Sequence, residues 1–147
     1  GGSVEAEEVS HEEMMKRVEE ELTLLVSTVR EAKAADLNPA EVIQERQLVT
    51  DAVQYTLALR ALRSEELFKE AVQLQAMMEG VLEPDVSVYS EILGVLVGLG
   101  LWSRVMDTFT RMKRQDIQPS LACYNCMMRA YAESNNAQKA IDLLQDM

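Results

Sequence analysis

The chain has 147 residues, 48% of them hydrophobic, with 25 acidic against 14 basic residues and a net charge of −11. That length suits one domain with a substantial buried core, and no apolar run is long enough to cross a bilayer or to form a secretory signal. The acid excess argues against a polyanionic partner, because nonspecific nucleic-acid affinity rests on basic groups that neutralise phosphates.

Gly1-Gly2-Ser3 reads as a cloning scar, and residues 1–9 as an acidic, flexible start. Ser10-His11-Glu12-Glu13 has the form of a capping box, in which a serine and an acid three places on satisfy the free donors of a helix start. The leading helix so opened, within 10–36, sets Met15, Val18, Leu22, Leu25, Val29 and Ala32 at alternating helical spacings, one continuous buried stripe. Glu19, Glu20 and Glu21 read either as a solvated face or as a docking surface for a basic protein. Asn38, Pro39 and Glu41 supply the next start signal, from which a helix of about two dozen residues is predicted to run to Leu62. Ser64-Glu65-Glu66 is predicted to open another helix, with Leu67, Ala71, Leu74 and Met78 on one side and Gly80 closing it in the left-handed conformation.

Asp85 or Ser87 caps the following helix, which carries Tyr89, Ile92, Leu93 and Leu96. Gly98-Leu99-Gly100 makes a turn, and Trp102 opens a partner helix continued by Val105, Met106, Phe109 and Met112, wedging between neighbouring units. Ser120 caps the next helix, with Tyr124, Met127, Met128 and Tyr131 inward; Asn135-Asn136 turns the chain, and a last helix begins at Ala137.

The second half repeats itself. Pro84 and Pro119, and Tyr89 and Tyr124, are each 35 residues apart, and Met77, Met112 and Met147 keep the same interval. A fixed period of this size means stacked helix-turn-helix units rather than one globular core. Asp36-Leu37-Asn38-Pro39 echoes Asp116-Ile117-Gln118-Pro119, so the leading helix reads as the second helix of a degenerate unit. The units are then a lengthened, degenerate repeat over 37–82, since Pro39 and Pro84 are 45 residues apart, a regular repeat over 83–117, and one over 118–147 that stops before a closing proline. The last helix carries no polar cap of the kind that ends a solenoid, which leaves it free to stack on a further unit or on a second copy of the chain.

Val86-Ser87-Val88-Tyr89-Ser90 and Leu121-Ala122-Cys123-Tyr124-Asn125 open these units, and Phe109-Thr110-Arg111-Met112-Lys113 through Ile117-Gln118-Pro119 closes one. In period and boundary residues the chain resembles the pentatricopeptide repeat family. The resemblance implies an all-α fold, a right-handed α-α superhelix (solenoid) of helix-turn-helix repeats. It also implies single-stranded RNA binding in mitochondria or chloroplasts, with any transit peptide upstream of this chain. In that family one base is read per repeat, by the residue after the tyrosine and the residue after the closing proline. Carried over, these are Ser90 with Ser120, and Asn125 in the last unit. Tyr55 sits one place out of register, which assigns Thr56 with Asp85 to the degenerate unit. Val86 and Leu121 would sandwich the bases, and the family's frequent phosphate-favouring lysine falls on Gly98 and Glu133.

Catalysis finds no support in the residues themselves. One histidine, His11, cannot supply a Ser/His/Asp or Cys/His set, and Gly94, Gly98 and Gly100 do not follow a strand as a phosphate loop requires. Cys123 and Cys126 form an isolated pair without the four ligands of a structural zinc site, and read as packing residues. No metal, cofactor or membrane span is expected. From Val86 onward six basic residues balance six acidic ones, so the whole charge deficit lies earlier. Two readings follow. The chain is a non-catalytic RNA-binding protein of organelle RNA metabolism (processing, splicing, stability or translation), or a protein-interaction scaffold whose acidic leading half docks a basic partner within a larger organelle complex.

Overall fold

The computed structural model describes the backbone of residues 2–147 and the side chains from Ser10 onward. The described residues form eight helices and no strand: α1 (Gly2–Ala34), α2 (Pro39–Glu45), α3 (Ala52–Ser64), α4 (Phe68–Met78), α5 (Val86–Gly98), α6 (Trp102–Arg114), α7 (Leu121–Glu133) and α8 (Ala137–Asp146). They stack in two layers. In one, α1 packs along α3, α3 along α5, and α5 along α7. Behind it, α4 rests on α3 and α5, α6 on α5 and α7, α8 on α7, and α2 bridges α1 and α4. This is the helical-repeat solenoid expected from the period.

One device makes most of the turns. Asp36, Gln47, Glu66, Gly100, Asp116 and Asn135 all adopt positive φ. In each case the next residue reaches back to a carbonyl five places earlier: Leu37 to Ala32, Leu48 to Ile43, Leu67 to Leu62, Leu101 to Leu96, Ile117 to Met112 and Asn136 to Tyr131. That is the Schellman closure, and an apolar residue in the reaching position packs back on the helix it ends. Five of these six left-handed positions are not glycine, which is why the sequence places some turns wrongly.

Five expectations need correction. Ser10 does not cap α1, because the helix already runs from Gly2; the acidic start read at 1–9 lies outside the described side chains. The stripe on α1 is buried only from Leu25 through Val29 to Ala32, while Val18 and Leu22 are half-buried and Met15 is 50% exposed. At 1.5 Å per residue α1 is about 50 Å long and its neighbour α3 about 20 Å, so α3 cannot cover it. By its packing on α3, α1 also lies in the layer of first helices, not second helices. The long helix predicted from Pro39 to Leu62 is broken into α2 and α3. The break is held by Asp51, which accepts from the Gln54 N–H at 2.8 Å, while Gln54 Oε1 accepts from Thr50 N–H and hydroxyl. Finally, Ser64-Glu65-Glu66 ends α3 instead of opening α4, since Glu66 takes the left-handed turn position.

The core runs the length of the stack without a gap between units. Leu59 and Leu62 of α3, Leu74 of α4, Leu93 and Leu96 of α5 and Met112 of α6 are all essentially inaccessible and belong to one cluster. Half-buried Trp102 packs against this cluster, and Phe109 of α6 meets Tyr124 of α7 edge to face at 5.4 Å. Gly98 is required for close approach, because a Cβ there would lie 2.5 Å from the Phe68 ring of the preceding unit.

Candidate nucleic-acid interface

Three caps set the first helices in common register. Asp51 caps α3, Asp85 caps α5 by accepting from Val88 N–H, and Ser120 caps α7 by accepting from Cys123 N–H. Counted from each helix start, Tyr55, Tyr89 and Tyr124 all occupy the fourth place. The one-residue offset of Tyr55 therefore lies between the start of α4 and the start of α5, and the helix itself is in register. Thr56, Ser90 and Asn125 fall together at the fifth place of three helices packed side by side.

Ser90 and Ser120 meet directly, their hydroxyl oxygens 2.9 Å apart. The fully buried Cys123 thiol lies behind both, at 3.4 and 3.3 Å. Thr56 and Asp85 are each bonded within their own helix: the nearly buried Thr56 donates to the Ala52 carbonyl, and Asp85 serves its cap. Asn125 is exposed. Of the two residues assigned to sandwiching, Leu121 is 66% exposed while Val86 is half-buried against the core.

Reading positions alone miss the charged groups of the same wall. Glu91, next to Ser90, is a carboxylate with only 5% of its side chain exposed. Its Oε1 accepts from Arg60 Nε at 2.9 Å, and its Oε2 accepts from Arg63 Nε at 2.9 Å and Nη2 at 2.7 Å. The two arginines remain 47% and 41% exposed. Each therefore turns one edge to the carboxylate and keeps other N–H donors toward solvent. The Arg63 stem lies over Gly94, where a Cβ would come within 3.1 Å of it. On α7, burial pushes the Cys126 thiol up, with Cys123 adding to the shift, Arg63 and Arg129 opposing it and Glu91 adding slightly. Charges from α3 and α5 thus meet on one stretch of wall. Arg60 and Arg129 stand four places after Thr56 and Asn125, one helical turn along the same face. That spacing was the signal available in the sequence. The three arginines share this wall with Glu91 and Glu133, and the caps Asp51 and Asp85 stand at the start of its helices.

Among the described residues there is no cluster of His, Cys, Asp or Glu that could hold a metal ion, and no helix is long and apolar enough to cross a membrane. A cavity of about 200 Å³ lies between the units, bordered by Tyr55, Met78, Tyr89, Ile92, Arg111 and Gln115. It falls below the usual size of a small-molecule pocket. Tyr89 donates from its hydroxyl to Gln115 Oε1 at 2.8 Å. Burial pushes the Tyr55 hydroxyl up to about 12, helped by Glu79 and Tyr89. Tyr89 is also raised by burial, with Arg111 opposing, Glu83 adding and the Gln115 contact opposing. The repeat tyrosines are packing and hydrogen-bonding residues.

A pentatricopeptide repeat domain model matches residues 74–134, and a PPR repeat model matches 122–147. No curated protein matches the chain. The matched stretches together run from Leu74 to Met147, half of the chain, and cover the two units that share the 35-residue interval. With the stacked helix pairs, this makes the chain a member of the pentatricopeptide repeat family, whose proteins generally bind RNA in organelles.

Proposed function

We propose that the chain binds single-stranded RNA along the wall built by α3, α5 and α7, without catalysis, in the RNA metabolism of a mitochondrion or chloroplast. Ser90 and Asn125 face the bases, with Asp85 and Ser120 beside them and Val86 and Leu121 flanking, while Thr56 holds the same place on α3 but is buried and bonded to the Ala52 carbonyl. What supports this reading most directly is the placement of Arg60 and Arg63 on the buried carboxylate of Glu91, each arginine still about half exposed and with N–H donors left toward solvent. The net charge of −11 would repel a polyanion from the molecule at large. Arg60 and Arg129, one helical turn from the base-facing positions, give phosphates a place to lie while small polar side chains meet base edges.

The test is a salt series with a labelled single-stranded RNA, read by fluorescence anisotropy. If the three arginines each neutralise one phosphate, log K falls with log salt at a slope of about −2, taking about 0.7 per contact. Arg129→Ala then flattens the slope by about 0.7, and Asn125→Ala weakens binding. No binding at low salt, or binding indifferent to both substitutions, rejects the reading. A second reading has its own observation: α1 extends past α3 with Met14 and Met15 exposed among Glu12, Glu13, Glu19 and Glu20. A basic protein docked there, within a larger organelle complex, would be lost on charge reversal of those glutamates and indifferent to the groove substitutions.

A further inference from the structure

We infer that the Ser90–Ser120 pair selects guanine, an inference that rests on the RNA reading above and gives one repeat its base. The two hydroxyls are joined in a chain of hydrogen bonds whose direction is set at both ends. The Ser90 hydroxyl lies 2.8 Å from the Val86 carbonyl, a group that can only accept, so the single Ser90 hydrogen goes there. Its oxygen is then the acceptor for Ser120, 2.9 Å away. At the other end the Cys123 N–H donates to Ser120 Oγ at 3.4 Å. The relay runs from Cys123 N–H through Ser120 and Ser90 to the Val86 carbonyl, every donor spent in one direction, an arrangement in which each bond strengthens the next.

What remains for a ligand is the acceptor capacity. Each hydroxyl oxygen has two lone pairs, and the relay uses one on each. The buried Cys123 S–H, 3.4 and 3.3 Å from the two oxygens, is the one other donor at hand, a weak one that the N–H of a ligand displaces. Both serines are half-buried. The pair therefore offers a ligand two acceptors side by side, and neither hydroxyl has a hydrogen to spare. Among the four bases, guanine alone carries two adjacent donors on its Watson–Crick edge, at N1 and the N2 amino group. Uracil sets one N–H between two carbonyls. Adenine and cytosine each set an amino group beside a ring nitrogen that accepts, which would face an acceptor across the contact. A mismatched acceptor leaves buried polar groups unpaired, and such sites discriminate more strongly than apolar ones.

The experiment selects a randomised pool of short single-stranded RNAs on the intact chain at low salt and sequences the retained fraction. Guanine should be enriched at one position by about fivefold or more over the other bases, the discrimination expected of one paired contact. Ser90→Ala, which keeps a helix-compatible residue and is checked by circular dichroism, should abolish that enrichment and leave the preference contributed by Asn125. Ser90→Asn, which adds an amide donor, should replace it with a different preference. A retained pool with no guanine position, or a guanine position that survives both Ser90→Ala and Ser120→Ala, overturns the base assignment while RNA binding stands. A pool that is not retained at all removes the RNA reading and the base assignment together.

Discussion

Glu91→Ala tests how the wall is held. The carboxylate spans from α5 to two arginines of α3 through three charge-assisted contacts of 2.7–2.9 Å. Were all three groups buried, removing one partner would cost about 3–5 kcal/mol; were all exposed, each pair would contribute about 1 kcal/mol or less. The carboxylate is buried but both arginines are about half exposed and can rehydrate. The expected loss is therefore intermediate, about 2 kcal/mol, read from the midpoint of urea denaturation at constant m. Because the contacts are shared, Arg63→Ala should cost much less in the Glu91→Ala background than alone, a coupling of about 1 kcal/mol. A loss below about 0.5 kcal/mol, or costs for the two substitutions that simply add, would show that the ion cluster does not hold α3 to α5.

Three further outcomes are expected from the packing. Tyr55, held up to about 12 against about 10 in an unfolded chain, contributes stability that is complete below about pH 10 and declines between about pH 10 and 12. Urea melts across that window should show the decline, and Tyr55→Phe should remove its share of it. Gly98→Ala places a Cβ against the Phe68 ring, so an overpacking cost of about 1–3 kcal/mol opposes a helix gain of about 1 kcal/mol. The substitution should destabilise the chain alone but stabilise it by about 1 kcal/mol in a Phe68→Ala background; stabilisation in both backgrounds would show that the contact is unimportant. Cys126, whose thiol is raised chiefly by burial, should alkylate more slowly at pH 8 than an unhindered cysteine, and equal rates would contradict its placement.

The regular units were legible because their boundaries are marked by residues that act locally. Asp85 and Ser120 cap through their own side chains, and Gly80, Gly100 and Asn135 adopt the positive φ that their types favour. The front of the chain was harder to read because Gln47 and Glu66 take the same backbone position without a glycine. Asp51 and Gln54, spaced as a capping box, were the available sign of the break before α3. At the site, the pairing of Ser90 with Ser120 came from the family resemblance. The arginine cluster did not, because Arg60, Arg63 and Glu91 lie 28 to 31 residues apart and meet only when first helices stack. Net charge hides such clusters for the same reason, since a total over the chain says nothing of which face carries which sign.

The most direct measurement is a photocrosslink from single-stranded RNA carrying 4-thiouridine, with the attached peptides identified by mass spectrometry. If α3, α5 and α7 form one RNA-bearing wall, crosslinks fall on the segments holding Thr56 to Arg63, Ser90 to Gly94 and Asn125 to Arg129. Crosslinks confined to α4, α6 or α8, or absent at low salt, would contradict it.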